Sequence, residues 1–318
     1  MTQVVHHTGY PERGVSQPAL DRVLVGVDFR QPSLAAARWA ATHFGRRSRL
    51  ALAHVQTVPE VPGFLQPAMP VLDDRVVTSF GNPLPGLRGF AATLGARDLS
   101  VHVRVGHAVQ SLANVAGNLE ADLVVLGRKT LDGSRGRTLE RLTRCLPVPA
   151  LIIGNSTGQR PRRILAAVDD APIGRQVVGW AATLAQYFGA DLTLLHVLSG
   201  ELLAHACDSD QSLDEPPAQA RLGNSSCWVS PTHAWLRSVG TIDGQPSVVR
   251  TSVAVGAAGP SILARARAAR ADLIVVGRNG AHATAPAAIG SATRLALRGA
   301  QVPLLVVPDT SSLQQSQA

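Results

Sequence analysis

The sequence predicts an α/β protein made of two tandem doubly wound parallel five-stranded sheets with helices on both faces, and three observations predict it. Its 318 residues exceed one small domain and suit two of about 150, each able to bury its own core. Apolar residues make up 45% of the chain and aromatics only 4%, a balance that suits helices packed on a buried parallel sheet better than a sandwich or a disulfide scaffold. Most directly, the chain repeats itself.

The stretch from Arg22 to Val55, RVLVGVDFRQPSLAAARWAATHFGRRSRLALAHV, matches RILAAVDDAPIGRQVVGWAATLAQYFGADLTLLHV, from Arg163 to Val197. Asp28 pairs with Asp169 and Trp39 with Trp180, each 141 positions on, and His54 pairs with His196 after one inserted residue. A block from Val105 recurs at Val255 with an offset of 150, and one from Gly136 recurs at Gly290 with an offset of 154. The repeat sets one domain at residues 20–154 and another at 161–309, with a linker at 155–160 inside the Gly-, Ser-, Pro- and Arg-rich run GNSTGQRPRR. Residues 1–19 and 310–318 read as disordered tails.

Each copy opens on a continuous apolar strand, Val23 to Val27 or Ile164 to Val168, followed by a helix whose apolar period carries the Trp. A second strand follows at Leu50 to Val55 or Leu192 to Val197. Then comes a variable region, which in the second copy spans Leu198 to Val249 and reads partly as a mobile loop, with Thr232 to Val239 as the last turns of a helix. The third strand is Val101 to Val105 or Ser247 to Val255, and after a helix the fourth is Leu123 to Leu126 or Leu273 to Val276. A glycine-bearing loop, a helix and the fifth strand, Ala150 to Ile153 or Leu304 to Val307, complete the unit. Strands separated by helix-length segments must run parallel, and right-handed crossovers make the sheet doubly wound.

The formal net charge of +8, almost all of it from arginine, favours anionic ligands in general. Zinc-finger spacing, RNA-binding aromatic motifs and basic amphipathic helices are absent, so no specific nucleic-acid partner is expected. Cys145, Cys207 and Cys227 lie far apart without CxxC spacing, which suits a reducing, cytoplasmic setting and neither a disulfide framework nor a zinc site. No signal peptide or membrane span is read. His6 and His7 read as part of the solvated tail, and Gly154-Asn155-Ser156-Thr157-Gly158 matches a nucleophile elbow without the helix that the elbow needs. With no P-loop, no paired carboxylates for magnesium and no catalytic set at useful spacing, the sequence points away from an enzyme, or at most to weak ATP hydrolysis.

The stretch VVGRNGAHATAPAAIGSATR, Val275 to Arg294, carries the functional reading. In doubly wound sheets a ligand lies beyond the C-terminal strand ends where strand order reverses. Asp169 ends the first strand there and Gly277 the fourth; Gly280 lies three residues on, and nine more precede Gly290-Ser291. Bare backbone lets amides approach an anion, and the helix opening near Ser291 aims its positive dipole end at a phosphate. Each residue also has a structural reading: Asp169 or Asp170 as a cap for the helix that Pro172 begins, Gly277 as a turn, Ser291 as an N-cap. Their joint spacing favours the ligand.

The valine-aspartate of the first strand, the histidine-valine of the second and the G-x2-G-x9-G-S loop together closely resemble the universal stress protein family, and the chain resembles a tandem two-domain member. That resemblance implies strand order 3-2-1-4-5 and a bound ATP, with Mg2+. It implies that Asp169 and the backbone of Val197 contact adenosine, that Gly277, Gly280, Gly290 and Ser291 hold phosphates, and that Val276 and Ala292 line the site. It further implies an internal pseudo-dimer of the domains, with possible homodimers and protein partners beyond. Function is then that of a nucleotide-dependent sensor in the stress response, the alternatives being a nucleotide-independent interaction module and a slow ATPase.

The first copy departs. It keeps Asp28 and Val55, but Gly127 and Gly136 are nine positions apart where Gly277 and Gly290 are thirteen. Thr130 replaces the second glycine and Arg137 the serine, so one nucleotide site per chain is expected, in the second domain. Arg128, Lys129, Arg135 and Arg137 read as an exposed basic turn or a weak anion attractor. His54 and His196 read as strand-end residues rather than metal ligands, and Trp39 and Trp180 as core.

Overall fold

The computed structural model describes residues 18–57, 82–128, 136–154, 158–199, 225–242, 245–246, 249–280 and 288–309. The tails, His6, His7, Lys129, Thr130, Arg135, Cys207 and residues 155–157 of the elbow-like run lie outside them.

In the first domain β1 (Arg22–Gly26), α1 (Gln31–Phe44), β2 (Arg49–Gln56), α2 (Leu84–Ala92), β3 (Leu99–Val105), α3 (Ala108–Asn118), β4 (Leu123–Gly127), α4 (Gly136–Cys145) and β5 (Ala150–Ile153) alternate. The strands pair in parallel in the order β3-β2-β1-β4-β5. The second domain repeats this with β6 (Arg163–Ala167), α5 (Pro172–Phe188), β7 (Asp191–Leu198), α6 (Ser225–Val239), β10 (Val249–Val255), α7 (Ala258–Ala268), β11 (Leu273–Gly277), α8 (Ser291–Gly299) and β12 (Leu304–Val307). Its order is β10-β7-β6-β11-β12, and a short hairpin, β8 (Thr241–Ile242) with β9 (Gln245–Pro246), precedes β10.

The two sheets are continuous. β12 lies antiparallel to β5, with Leu304 opposite Ile152 and Val306 opposite Ala150, giving one sheet of ten strands. All four residues of each seam strand are buried, so neither could remain an edge without exposing both apolar side chains and unpaired backbone. Successive residues then serve opposite faces: Leu305 joins a core layer with Val23, Trp39, Phe44, Val177 and Phe188, while Leu304 joins Leu24, Val124, Ile152, Leu165 and Ile274. Both layers run across the domain boundary.

On the first face the C-terminal ends of α1 and α5 meet. The Trp39 ring lies 6.2 Å from Phe188, Phe44 lies 5.5 Å from Tyr187, and Tyr187 Oη donates to the His43 carbonyl at 3.2 Å. Trp39 and Trp180 are both buried, Trp39 against the other domain. The helix expected from Thr232 starts seven residues earlier, at Ser225, and runs through Pro231, with Leu236 fully buried and Trp235 packed against the same core. Among the described residues no helix is long and apolar enough to cross a membrane.

Candidate functional site

At the end of β6 the Val168 N–H donates to Leu195 at 2.8 Å, carrying the chain one step past the strand before it turns at Asp169. His196 Nδ1 donates to the Val168 carbonyl at 2.8 Å while its ring stands 5.2 Å from Trp235, so this strand-end histidine fixes the turn that presents Asp169. Helix α5 begins at Pro172 with Ala171 at the N-cap in extended conformation. A Cβ at Gly174 would stand 2.3 Å from the Asp169 carbonyl oxygen, so the helix start is pressed against this residue's backbone.

The loop after β11 closes on the same point. A Cβ at Gly277 would lie 3.1 Å from Ile173 Cδ1 and 3.0 Å from the Asn279 carbonyl oxygen. At Gly280 it would lie only 2.6 Å from Asp169 Oδ2, so the carboxylate occupies the space that a side chain would need. Residues 281–287 lie outside the described chain. Beyond them Gly290 N–H donates to the Arg278 carbonyl at 2.9 Å, and Thr293 Oγ1 donates to the Gly277 carbonyl at 2.6 Å. The two ends of the loop are thus stitched together.

Gly290, with φ −60° and ψ 153°, is the N-cap of α8, and Ser291 is its first helical residue. This corrects the N-cap reading of Ser291: an extended residue without a side chain makes the bond to Arg278 and leaves the serine hydroxyl exposed one position on. The first intrahelical bond is Arg294 N–H to the Gly290 carbonyl, so the amides of Ser291, Ala292 and Thr293 form the open first turn. Of the other predicted residues, Val276 is buried within the core layer, and Val197 and Ala292 are half-buried against it.

The equivalent place in the first domain is built differently. Asp28 Oδ1 accepts from the Arg30 N–H at 3.0 Å and from Ser33 Oγ at 2.5 Å, so the carboxylate folds back on the start of α1. Position 33 corresponds to Gly174, which has no hydroxyl to offer. Phe29 takes a left-handed φ of 59°, unusual for an aromatic residue, and its ring lies tilted 4.8 Å from His54. A Cβ at Gly127 would meet the Pro32 carbonyl oxygen at 2.3 Å, so this glycine is required by the packing of α1 on β4.

Sequence reasoning missed the arginine that follows the motif's first glycine in both copies. Arg128, read as part of an exposed turn, is 9% exposed. Its Nη1 donates to the Leu297 carbonyl at 2.7 Å and its Nη2 to the Ala300 carbonyl, at the C-terminal end of α8. Arg278 reciprocates: its Nη1 donates to the Arg144 carbonyl at 3.1 Å and reaches Leu146 at 3.4 Å, at the end of α4. Each cation sits at the negative end of the other domain's last helix. Burial pushes both guanidiniums below their ordinary pKa, foremost by desolvation. Beside them Glu140 of α4 pairs with Arg298 at 3.0 Å and Arg294 at 4.0 Å on α8. The recurrence of Gly-Arg at an offset of 150 was the signal.

Residues 19–154 and 161–308 each match the sequence model of the universal stress protein family. Among solved structures, a universal stress protein from Archaeoglobus fulgidus DSM 4304 is 15% identical with a TM-score of 0.61, covering 91% of this chain and 98% of that one. A functionally unknown protein, PA1789 from Pseudomonas aeruginosa PAO1, is 15% identical with a TM-score of 0.61, covering 93% and 95%. At such identities the likeness establishes the fold. No curated protein matches the chain.

Proposed function

The chain belongs to the universal stress protein family, twice over in one polypeptide, and from that premise we propose that its second domain binds ATP, with Mg2+ carried on the phosphates, and works as a nucleotide-dependent sensor or regulator in the cytoplasmic stress response. The observation that supports this most is the contact of Asp169 Oδ2 with the bare backbone of Gly280 at the sheet's switch point. A carboxylate there accepts hydrogen bonds from sugar hydroxyls, and a glycine there gives the carboxylate the room to sit against the loop. The backbone of Val197 is assigned to the adenosine, the amides of Gly277, Gly280 and Gly290 with those of the open turn at Ser291 to the phosphates, and Val276 and Ala292 to the lining. The positive end of α8 favours the negative charge.

The first domain is assigned a supporting role, because the carboxylate that would face a ligand is committed to Ser33 and Arg30. Ordering of the glycine loop by a polyphosphate supplies the switch, and a protein partner that distinguishes the two states reads it. Calorimetric titration of the nucleotide-stripped full chain with Mg-ATP tests the proposal: one site per chain supports it, two sites restore a ligand role to the first domain, and no binding leaves a nucleotide-independent interaction protein.

A further inference from the structure

At the end of the first sheet remote from the glycine loops, where β1, β2 and β3 begin, three turns border an open hollow of about 640 Å³. Its lining carries five arginines, at 22, 46, 47, 49 and 97, against two aspartates, Asp21 and Asp98. The turns form one framework: Arg49 N–H donates to Asp21 at 2.7 Å, Leu50 N–H to Asp98 at 2.9 Å, and Arg97 N–H to Gly45 at 3.1 Å. The buried Ser48 hydroxyl adds a bond to the Leu20 carbonyl at 2.7 Å.

Three of the arginines have structural work. Arg22 pairs with Glu120, Arg49 lies 3.5 Å from Asp98, and the Arg47 guanidinium stands 5.3 Å from the centre of the Tyr187 ring. Arg46 and Arg97 are exposed, and among the described residues neither forms a side-chain ion pair or hydrogen bond. The second copy differs at this turn: where the first reads Gly45-Arg-Arg-Ser-Arg49, it reads Gly189-Ala190-Asp191, and of the arginines at that end Arg163 pairs with Asp272 and Arg250 with Asp191.

We propose that this hollow is a second, phosphate-binding site, in the first domain, taking small compounds with adjacent phosphate groups. Its volume is that of a small-molecule site, and two uncommitted guanidinium forks on a stitched backbone match phosphate oxygens in geometry as well as charge. The first domain has a shortened glycine loop at one end of its sheet and this basic hollow at the other. The site is independent of the ATP reading.

Pyrophosphate is the probe. In nucleotide-stripped Gly280→Val chain, titration should show one saturable equivalent whose affinity falls as salt is raised. Adding Arg46→Glu with Arg97→Glu should weaken it by about tenfold or more, and the corresponding lysine pair should fall between, since charge is kept and the fork is lost. In the wild-type chain the same charge reversal should remove one equivalent, which keeps the test valid if Gly280→Val fails to fold. Absence of saturable binding, or equal affinity after charge reversal in a chain with an unchanged melting curve, overturns the proposal.

Discussion

Arg128 and Arg278, equivalent residues of the two repeats, each donate to the last carbonyls of the helix that closes the other domain. The exchange joins the seam to the candidate nucleotide site, because Arg278 directly follows Gly277 while Arg128 holds the far end of the helix that opens at Ser291.

Removing either side chain leaves buried carbonyls without their cationic donor. Arg128→Ala and Arg278→Ala should each cost about 1–3 kcal/mol in denaturant unfolding. Only Arg278→Ala should also weaken ATP by roughly tenfold at temperatures far below unfolding, since it frees the loop itself. Equal ATP affinity in wild type and Arg278→Ala would show that the anchor does not reach the site.

The Asp169 to Gly280 contact makes a coupled pair. Asp169→Ala should reduce ATP affinity by about 1.5–3 kcal/mol, the scale of a hydrogen bond to a charged group. Gly280→Ala should do so as well, by placing a methyl where the carboxylate now lies. In the double variant the clash disappears with the carboxylate, so the two losses should sum to less than their separate values in a calorimetric double-mutant cycle.

Asp28 gives the contrast. Asp28→Ala should cost about 1 kcal/mol of stability through the lost bonds to Ser33 and Arg30, with ATP stoichiometry and affinity unchanged. A change in stoichiometry would mean that the first crevice takes nucleotide.

The two core layers cross the domain boundary, so the chain should melt as one unit. Scanning calorimetry should give a single transition whose calorimetric and van't Hoff enthalpies agree. Leu305→Ala, which removes a fully buried seam residue, should lower the whole transition by an amount equivalent to about 2–5 kcal/mol.

His43 lies in the joint between α1 and α5, its ring 4.3 Å from Trp39 and its Nε2 donating to the Gly158 carbonyl at 3.0 Å. Desolvation pushes its pKa below the ordinary 6.5, partly opposed by the bond to Gly158 and reinforced by Arg160. The unfolded chain therefore binds the proton more readily, and its share of stability is complete above about pH 6.5 and lost as pH falls below that value. His43→Asn should flatten the decline in melting temperature between about pH 7 and 5 relative to wild type.

The local grammar of this chain was legible because it is linear. Asp169 and the glycines at 277, 280 and 290 sit at strand ends that apolar runs mark without reference to distant residues, and the site places Asp169 against Gly280. What escaped reading depends on partners far along the chain. Arg128 looks like solvent-facing charge until Leu297, 169 residues away, supplies the carbonyl that permits its burial. The start of α6 was misplaced because Pro231 ordinarily stops a helix, yet Trp235 and Leu236 pack well enough to hold the segment on both sides of it. At the head of α8, side-chain chemistry favours Ser291 as the cap and backbone geometry selects Gly290.

Glu140 and Arg294 occupy the same position in the two repeats, 154 residues apart, and they face each other across the joint between α4 and α8. A pair of identical chains meeting through this surface would set each residue against its own copy, acid to acid or base to base. Linking the copies in one polypeptide lifts that constraint, since a substitution enters once instead of twice. The same freedom lets one copy shorten its loop while the other keeps its length. Asymmetry of this kind is inherited with the chain and does not have to be re-established each time subunits assemble.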